Sequence, residues 1–88
     1  MQPPETKRAF REPEEIAEWI REVRSDSFVR MQPGEAYPPQ KSFVVFHYET
    51  DTFYGRIVFV KHWNDEWRQV RYGSIYGEQY EIPRIPNR

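Results

Sequence analysis

His47, Tyr54 and Arg56 are the residues whose types and spacing come nearest to doing chemistry in this chain. An imidazole beside a phenol, with a guanidinium in reach, could take the proton of a ribose hydroxyl while the guanidinium holds the phosphate. That is the chemistry of RNA cleavage. A solitary strand histidine is more often a packing residue, and no further acid–base group accompanies it at a telling spacing. His62 falls at the opposite end of the same hairpin, so the two histidines are not expected to meet or to share a metal. The chain has no Cys and only two His, which argues against a structural zinc site and excludes a disulfide framework. Gly34, Gly55, Gly73 and Gly77 are scattered, without the spacing of a phosphate-cradling loop, and no Gly-x-Ser-x-Gly elbow occurs. No cofactor is expected, and the balance of residues leans away from an enzyme.

The elements that must position these side chains are mostly strands. Lys41–Glu49, Phe53–Trp63, Glu66–Tyr72 and Ile75–Ile82 are rich in β-branched and aromatic residues. The breaks between them are short and polar, around Thr50-Asp51, Asn64-Asp65 and Gly73-Ser74, and suit hairpins. Before them lies one helix, expected over residues 13–24. Pro13 suits its first position, acidic Glu14, Glu15 and Glu18 sit near its positive end, and Ile16, Trp19, Ile20 and Val23 form one apolar stripe. Phe28–Met31 reads as a short strand. Residues 32–40, with Pro33-Gly34 and Pro38-Pro39, read as a loop. The expected fold class is α+β, one N-terminal helix packed on a four-stranded antiparallel β-meander. Residues 1–9 are expected to be a disordered tail, 10–82 a single domain and 83–88 an extended tail.

Treating each break as a two-residue loop pairs Glu49 with Thr52, Trp63 with Glu66 and Tyr72 with Ile75. Alternation then sorts every strand residue onto one of two faces. Val44, Phe46, Tyr48, Phe53, Ile57, Phe59, Val70, Tyr72 and Ile75 share the expected core face, under the helix stripe. The opposite face carries His47, Tyr54, Arg56, Trp67, Arg71, Tyr76 and Tyr80, interleaved with Phe43, Val45, Val58 and Val60. Arg, Trp and Tyr are enriched at binding hot spots. The same residues also stabilise solvated sheets through cross-strand and cation–π pairs, so their presence alone does not define a site.

Composition narrows the partners. Fifteen aromatic residues make up 17% of the chain, which is how a short sequence can build a core. Ten Arg against three Lys favours planar and stacked contacts, although codon bias alone can produce that ratio. The net charge is −1, whereas non-specific nucleic-acid binders carry a basic excess. No apolar run reaches membrane-spanning length, and the first ten residues lack the apolar stretch of a secretory signal. With no cysteine, a cytoplasmic setting is the expectation.

The stretch from Tyr54-Gly55-Arg56-Ile57-Val58-Phe59-Val60 through Asn64-Asp65-Glu66 to Arg71-Tyr72-Gly73 resembles the strand core of RelE-type ribosome-dependent endoribonuclease toxins. Those proteins also place helix before antiparallel sheet, and the resemblance would imply ribonuclease activity. The family's second helix and strongly basic balance are missing from this sequence, and the chain is not assigned to it. The expected function is a small non-enzymatic protein-interaction module, an inhibitor or accessory subunit, whose partner is another protein. The alternative is a single-stranded nucleic-acid binder stacking bases on Tyr54, Trp67 and Tyr76. A small ribonuclease centred on His47 ranks third. A homodimer would also cover the four apolar residues of the second face.

Overall fold

Helix α1 spans Pro13–Val23 in the computed structural model, which describes residues 2–36, 41–70 and 77–83. Its start is fixed by Glu15, whose carboxylate accepts the backbone N–H groups of Arg11 and Glu12 at 3.0 and 2.9 Å. Those are donors that a helix start leaves unpaired. It ends where Arg24 N–H bonds Ile20 O and Asp26 turns the chain at a φ of 63°. Ile16, Ala17 and Ile20 are buried, whereas Val23 is 40% exposed. The helix is therefore rolled towards Ala17 relative to the expected stripe, and the small Ala17 side chain takes the place assigned to Val23.

The sheet has five antiparallel strands: β1 Phe28–Ala36, β2 Lys41–Glu49, β3 Phe53–Lys61, β4 Trp67–Gln69 and β5 Gly77–Glu81. The first four follow in meander order, and β5 returns to pair with β3. The architecture is thus α+β, one helix on an antiparallel sheet. It has one strand more than the expected meander because Phe28–Ala36 joins the sheet as β1, and the last strand departs from meander order because β4 and β5 share one edge of β3. Its Phe59–Lys61 end pairs with β4, and its Phe53–Ile57 end pairs with β5.

β1 runs through Pro33-Gly34, which reads locally as a turn. Pro33 is tolerated because β1 is an edge strand and one side of its backbone needs no partner. Gly34 stands opposite Phe43, and a Cβ added there would lie 2.5 Å from the Phe43 ring. The glycine makes room for the phenyl ring to lie across β1. Gly55 does the same on the other face, where the ring of its cross-strand partner Tyr48 occupies the space a side chain would need.

One face of the sheet holds the core. Phe46, Tyr48, Ile57 and Phe59 are fully buried beneath Ile16 and Ile20. Phe59 meets Phe10 and Phe46 edge-on, at centroid distances of 5.7 Å each. Such contacts add to burial, which contributes roughly 1.5–3 kcal/mol per large apolar side chain. The helix lies against β1 and β2. The rest of this face is covered by the polar N-terminus, expected to be loose. Phe10 bridges Trp67 through two backbone bonds of 3.0 and 2.8 Å. Thr6 N–H donates to the Gln69 side-chain oxygen, and the Gln69 amide donates to Pro4 O, both at 2.8 Å. Arg24 then reaches from the end of α1 to Gln2 O at 2.8 Å and to Gln79 Oε1 at 3.0 Å. This segment holds because Gln69 and Arg24 supply the partners its backbone needs. Residues 84–88 of the expected C-terminal tail lie outside the described residues. No described helix is long and apolar enough to cross a membrane.

Candidate functional site

No described helix or strand packs on the opposite face of the sheet, and side-chain alternation decides what it displays. The β2–β3 turn places Asp51-Thr52 in a two-residue loop closed by Thr50 N–H to Phe53 O at 2.9 Å. The expected loop was Thr50-Asp51. Both members of each pair are displaced by one residue, so the faces are unchanged. Phe43, Val45 and His47 of β2 therefore share this face with Tyr54, Arg56, Val58 and Val60 of β3.

The β3–β4 turn differs. His62 N–H bonds Glu66 O at 2.8 Å, Asp65 N–H bonds His62 O at 3.0 Å, and Asp65 adopts a φ of 63°. This is a three-residue loop, in which a left-handed residue follows a tight turn. Trp67 consequently pairs with Lys61, not with His62, and moves to the core face, where it is 8% exposed. Its expected place on the open face is corrected accordingly: the indole packs with Phe10 and Phe59 in the core and is not available for binding. Val70, expected in the core, donates its N–H to Val58 O and moves the other way by the same step. The fully solvated tryptophan is Trp63, at the tip of this hairpin, 93% exposed.

Tyr80 is on the face where alternation puts it, beside Tyr54 on β3. The two phenol rings are 5.5 Å apart, and the His47 ring stacks on Tyr54 at 5.9 Å. Tyr54 Oη lies 2.5 Å from His47 Nδ1, and Gln32 Oε1 lies 2.9 Å from His47 Nε2. A carbonyl oxygen only accepts, so Nε2 donates to Gln32, while the Tyr54 hydroxyl can donate to Nδ1 or accept from it. Arg30, His47 and Arg56 are direct cross-strand neighbours on β1, β2 and β3, and Arg56 pairs with Glu78 of β5 at 2.9 Å. Burial lowers the pKa of His47 from 6.5, and the Arg30 and Arg56 charges lower it further, against an opposing pull from Glu49. Burial raises the Tyr54 pKa, with Tyr80 and Glu78 adding to it while Arg56 and Arg30 oppose.

Of the residues singled out from the sequence, the structure brings His47, Tyr54, Arg56 and Tyr80 together and removes Trp67. Arg71 and Tyr76 lie outside the described residues. Arg30, Gln32 and Glu78 were missed. Gln32 was hidden because Pro33-Gly34 disguised the length of β1, and Arg30 because the expected strand Phe28–Met31 was given no place in the sheet, although the alternation Val29, Arg30, Met31, Gln32 was a readable signal. His47 and His62 stand six residues apart along the strand direction of β3, about 20 Å, as expected. No cluster of three metal-ligating side chains occurs among the described residues. No family model matches the chain, and neither the curated proteins nor the solved structures include a match to it.

Proposed function

We propose that this chain is a non-enzymatic protein-interaction module, an inhibitor or accessory subunit, that docks another protein on its open sheet face. The observation that carries this reading is the juxtaposition of an aliphatic strip with a polar row. Phe43, Val45, Val58 and Val60 are half-buried side by side, and Arg30, His47, Tyr54 and Arg56 border them. An apolar centre with an Arg- and Tyr-rich margin is the anatomy of a protein interface.

The test is recovery of partners from the protein's own cells with tagged wild type, Val58→Glu and Trp63→Ala. Circular dichroism would verify that all three are folded. A discrete protein partner retained by wild type and Trp63→Ala but lost by Val58→Glu is the expected result. Equal recovery by all three would overturn the use of this face.

A single-stranded nucleic-acid reading is favoured by one observation, the contiguous rings of His47, Tyr54 and Tyr80 beside two guanidiniums. It ranks second because Trp67, counted on for stacking, is in the core, and Arg56 already faces a carboxylate. Fluorescence anisotropy with a labelled mixed-sequence oligonucleotide at low salt tests it. Steeply salt-dependent binding would promote it, and no binding would remove it.

A further inference from the structure

We infer that the Arg30–His47–Arg56 row takes a side-chain carboxylate of an extended protein segment whose apolar residue, two positions away, covers Val45 and Val58. The inference deepens the docking reading and rests on it.

Charge is the first argument. Arg30 has no acidic partner among the described residues, whose ion pairs are Arg56–Glu78, Lys61–Asp65 and Arg68–Glu66. Arg56 is paired, but both members of that pair remain substantially exposed, and such a pair holds its geometry weakly. His47 sits between the two guanidiniums as the direct cross-strand partner of each. Three nitrogen-bearing side chains stand side by side on adjacent strands, and among the described residues the carboxylate paired with them, Glu78, lies beyond Arg56 on β5. A carboxylate placed there would accept charge-assisted hydrogen bonds from both arginines.

Spacing is the second argument. Along β2 and β3 the next outward residues after His47 and Arg56 are Val45 and Val58, themselves cross-strand partners. The polar and aliphatic rows are two residues apart, about 7 Å. That is also the distance between successive side chains on one face of an extended strand. An acidic residue followed at the second position by an apolar one matches both rows at once.

The same geometry speaks against a polyanion. Glu49 lies two residues from His47 on its outward face, and Glu78 stands beside Arg56. A phosphate backbone following the row would meet both, and it has no apolar group to lay on Val45 and Val58. A single carboxylate flanked by apolar side chains avoids the first and uses the second.

His47 supplies the readout. The groups that face it are Arg30 and Gln32 from β1, Glu49 on β2, Tyr54 and Arg56 from β3, and Glu78 and Tyr80 from β5. An added carboxylate offsets the two guanidiniums and favours the imidazolium, so binding should raise the His47 titration midpoint and strengthen as pH falls.

The experiment is an NMR titration of the full chain with the acetylated, amidated peptide Thr-Glu-Thr-Leu-Thr, its Gln counterpart, inorganic phosphate and a thymidine decanucleotide. The expected result is that the Glu peptide raises the His47 midpoint and binds about tenfold more tightly than the Gln peptide, a preference abolished in Arg30→Gln. Equal binding of both peptides on the Val58 side, with His47 unmoved, would overturn the carboxylate inference and leave the docking reading standing. Binding by neither peptide would overturn both, as would phosphate or oligonucleotide displacing the peptides. Concentration-dependent shifts of Val45 and Val58 without any probe would name a second copy as the occupant and overturn the inference.

Discussion

Nδ1 of His47 lies 2.5 Å from the Tyr54 hydroxyl and Nε2 lies 2.9 Å from Gln32 Oε1, so both nitrogens of the imidazole are engaged. Protonation would put a third positive charge beside Arg30 and Arg56, and burial together with those two guanidiniums favours the uncharged form.

Acid should loosen this arrangement. Folding depresses the proton affinity of His47 below its ordinary 6.5, so the folded state binds fewer protons than the unfolded chain. Its stabilisation is present above that value and is lost as pH falls through the lower folded midpoint. Urea unfolding at about pH 7.5 and about pH 5 should show a smaller loss for His47→Gln than for wild type. In parallel, Arg30→Gln should move the imidazole midpoint of His47 upward by NMR.

Alkali should act on the core side through Tyr48. Its phenol is fully buried and donates to Gln79 Oε1 at 2.7 Å, and burial pushes its pKa from 10.0 up to about 12. Because the folded value is the higher one, the stabilisation is complete below pH 10 and fades as pH rises towards 12. Tyr48→Phe should lose that part of the alkaline sensitivity. At neutral pH it should cost only about 1 kcal/mol, since Gln79 Oε1 keeps Arg24 as a donor.

The two hairpin tryptophans should respond very unequally. Trp67→Ala removes a buried indole and should destabilise by about 3–5 kcal/mol. Trp63→Ala alters a fully solvated side chain and should stay within about 0.5 kcal/mol. Chemical denaturation of both variants measures the difference, and comparable effects would contradict the three-residue turn.

Gly55→Ala should destabilise by about 1–3 kcal/mol, because its methyl group would enter space held by the buried Tyr48 ring. Thermal unfolding of this variant beside Val58→Ala, on the open face of the same strand, separates overpacking from a general loss in β3.

Much of this arrangement was legible in the amino-acid order. The period-3.6 stripe of Ile16, Trp19 and Ile20 announced the helix, and the period-2 runs from Lys41 to Lys61 announced the central hairpin with its faces. Those faces survived an inexact turn assignment. Moving the loop from Thr50-Asp51 to Asp51-Thr52 displaces both strands by one residue each, and side-chain parity is kept. His47, Tyr54 and Arg56 therefore came together as the alternation required.

Tertiary structure decided the rest wherever a single residue or a distant partner was needed. Asp65 in the left-handed region adds one residue to the β3–β4 loop, and that odd step sends Trp67 inward and Val70 outward. Pro33 and Gly34 remain in a strand because an edge position excuses the missing N–H and the ring of Phe43 needs the space above Gly34. Arg30 and Gln32 reach His47 only through that pairing. Local patterns carry information about periodicity, which many residues reinforce. Register, edge position and which two strands share β3 depend on contacts between residues far apart in the chain, and no short stretch encodes them alone.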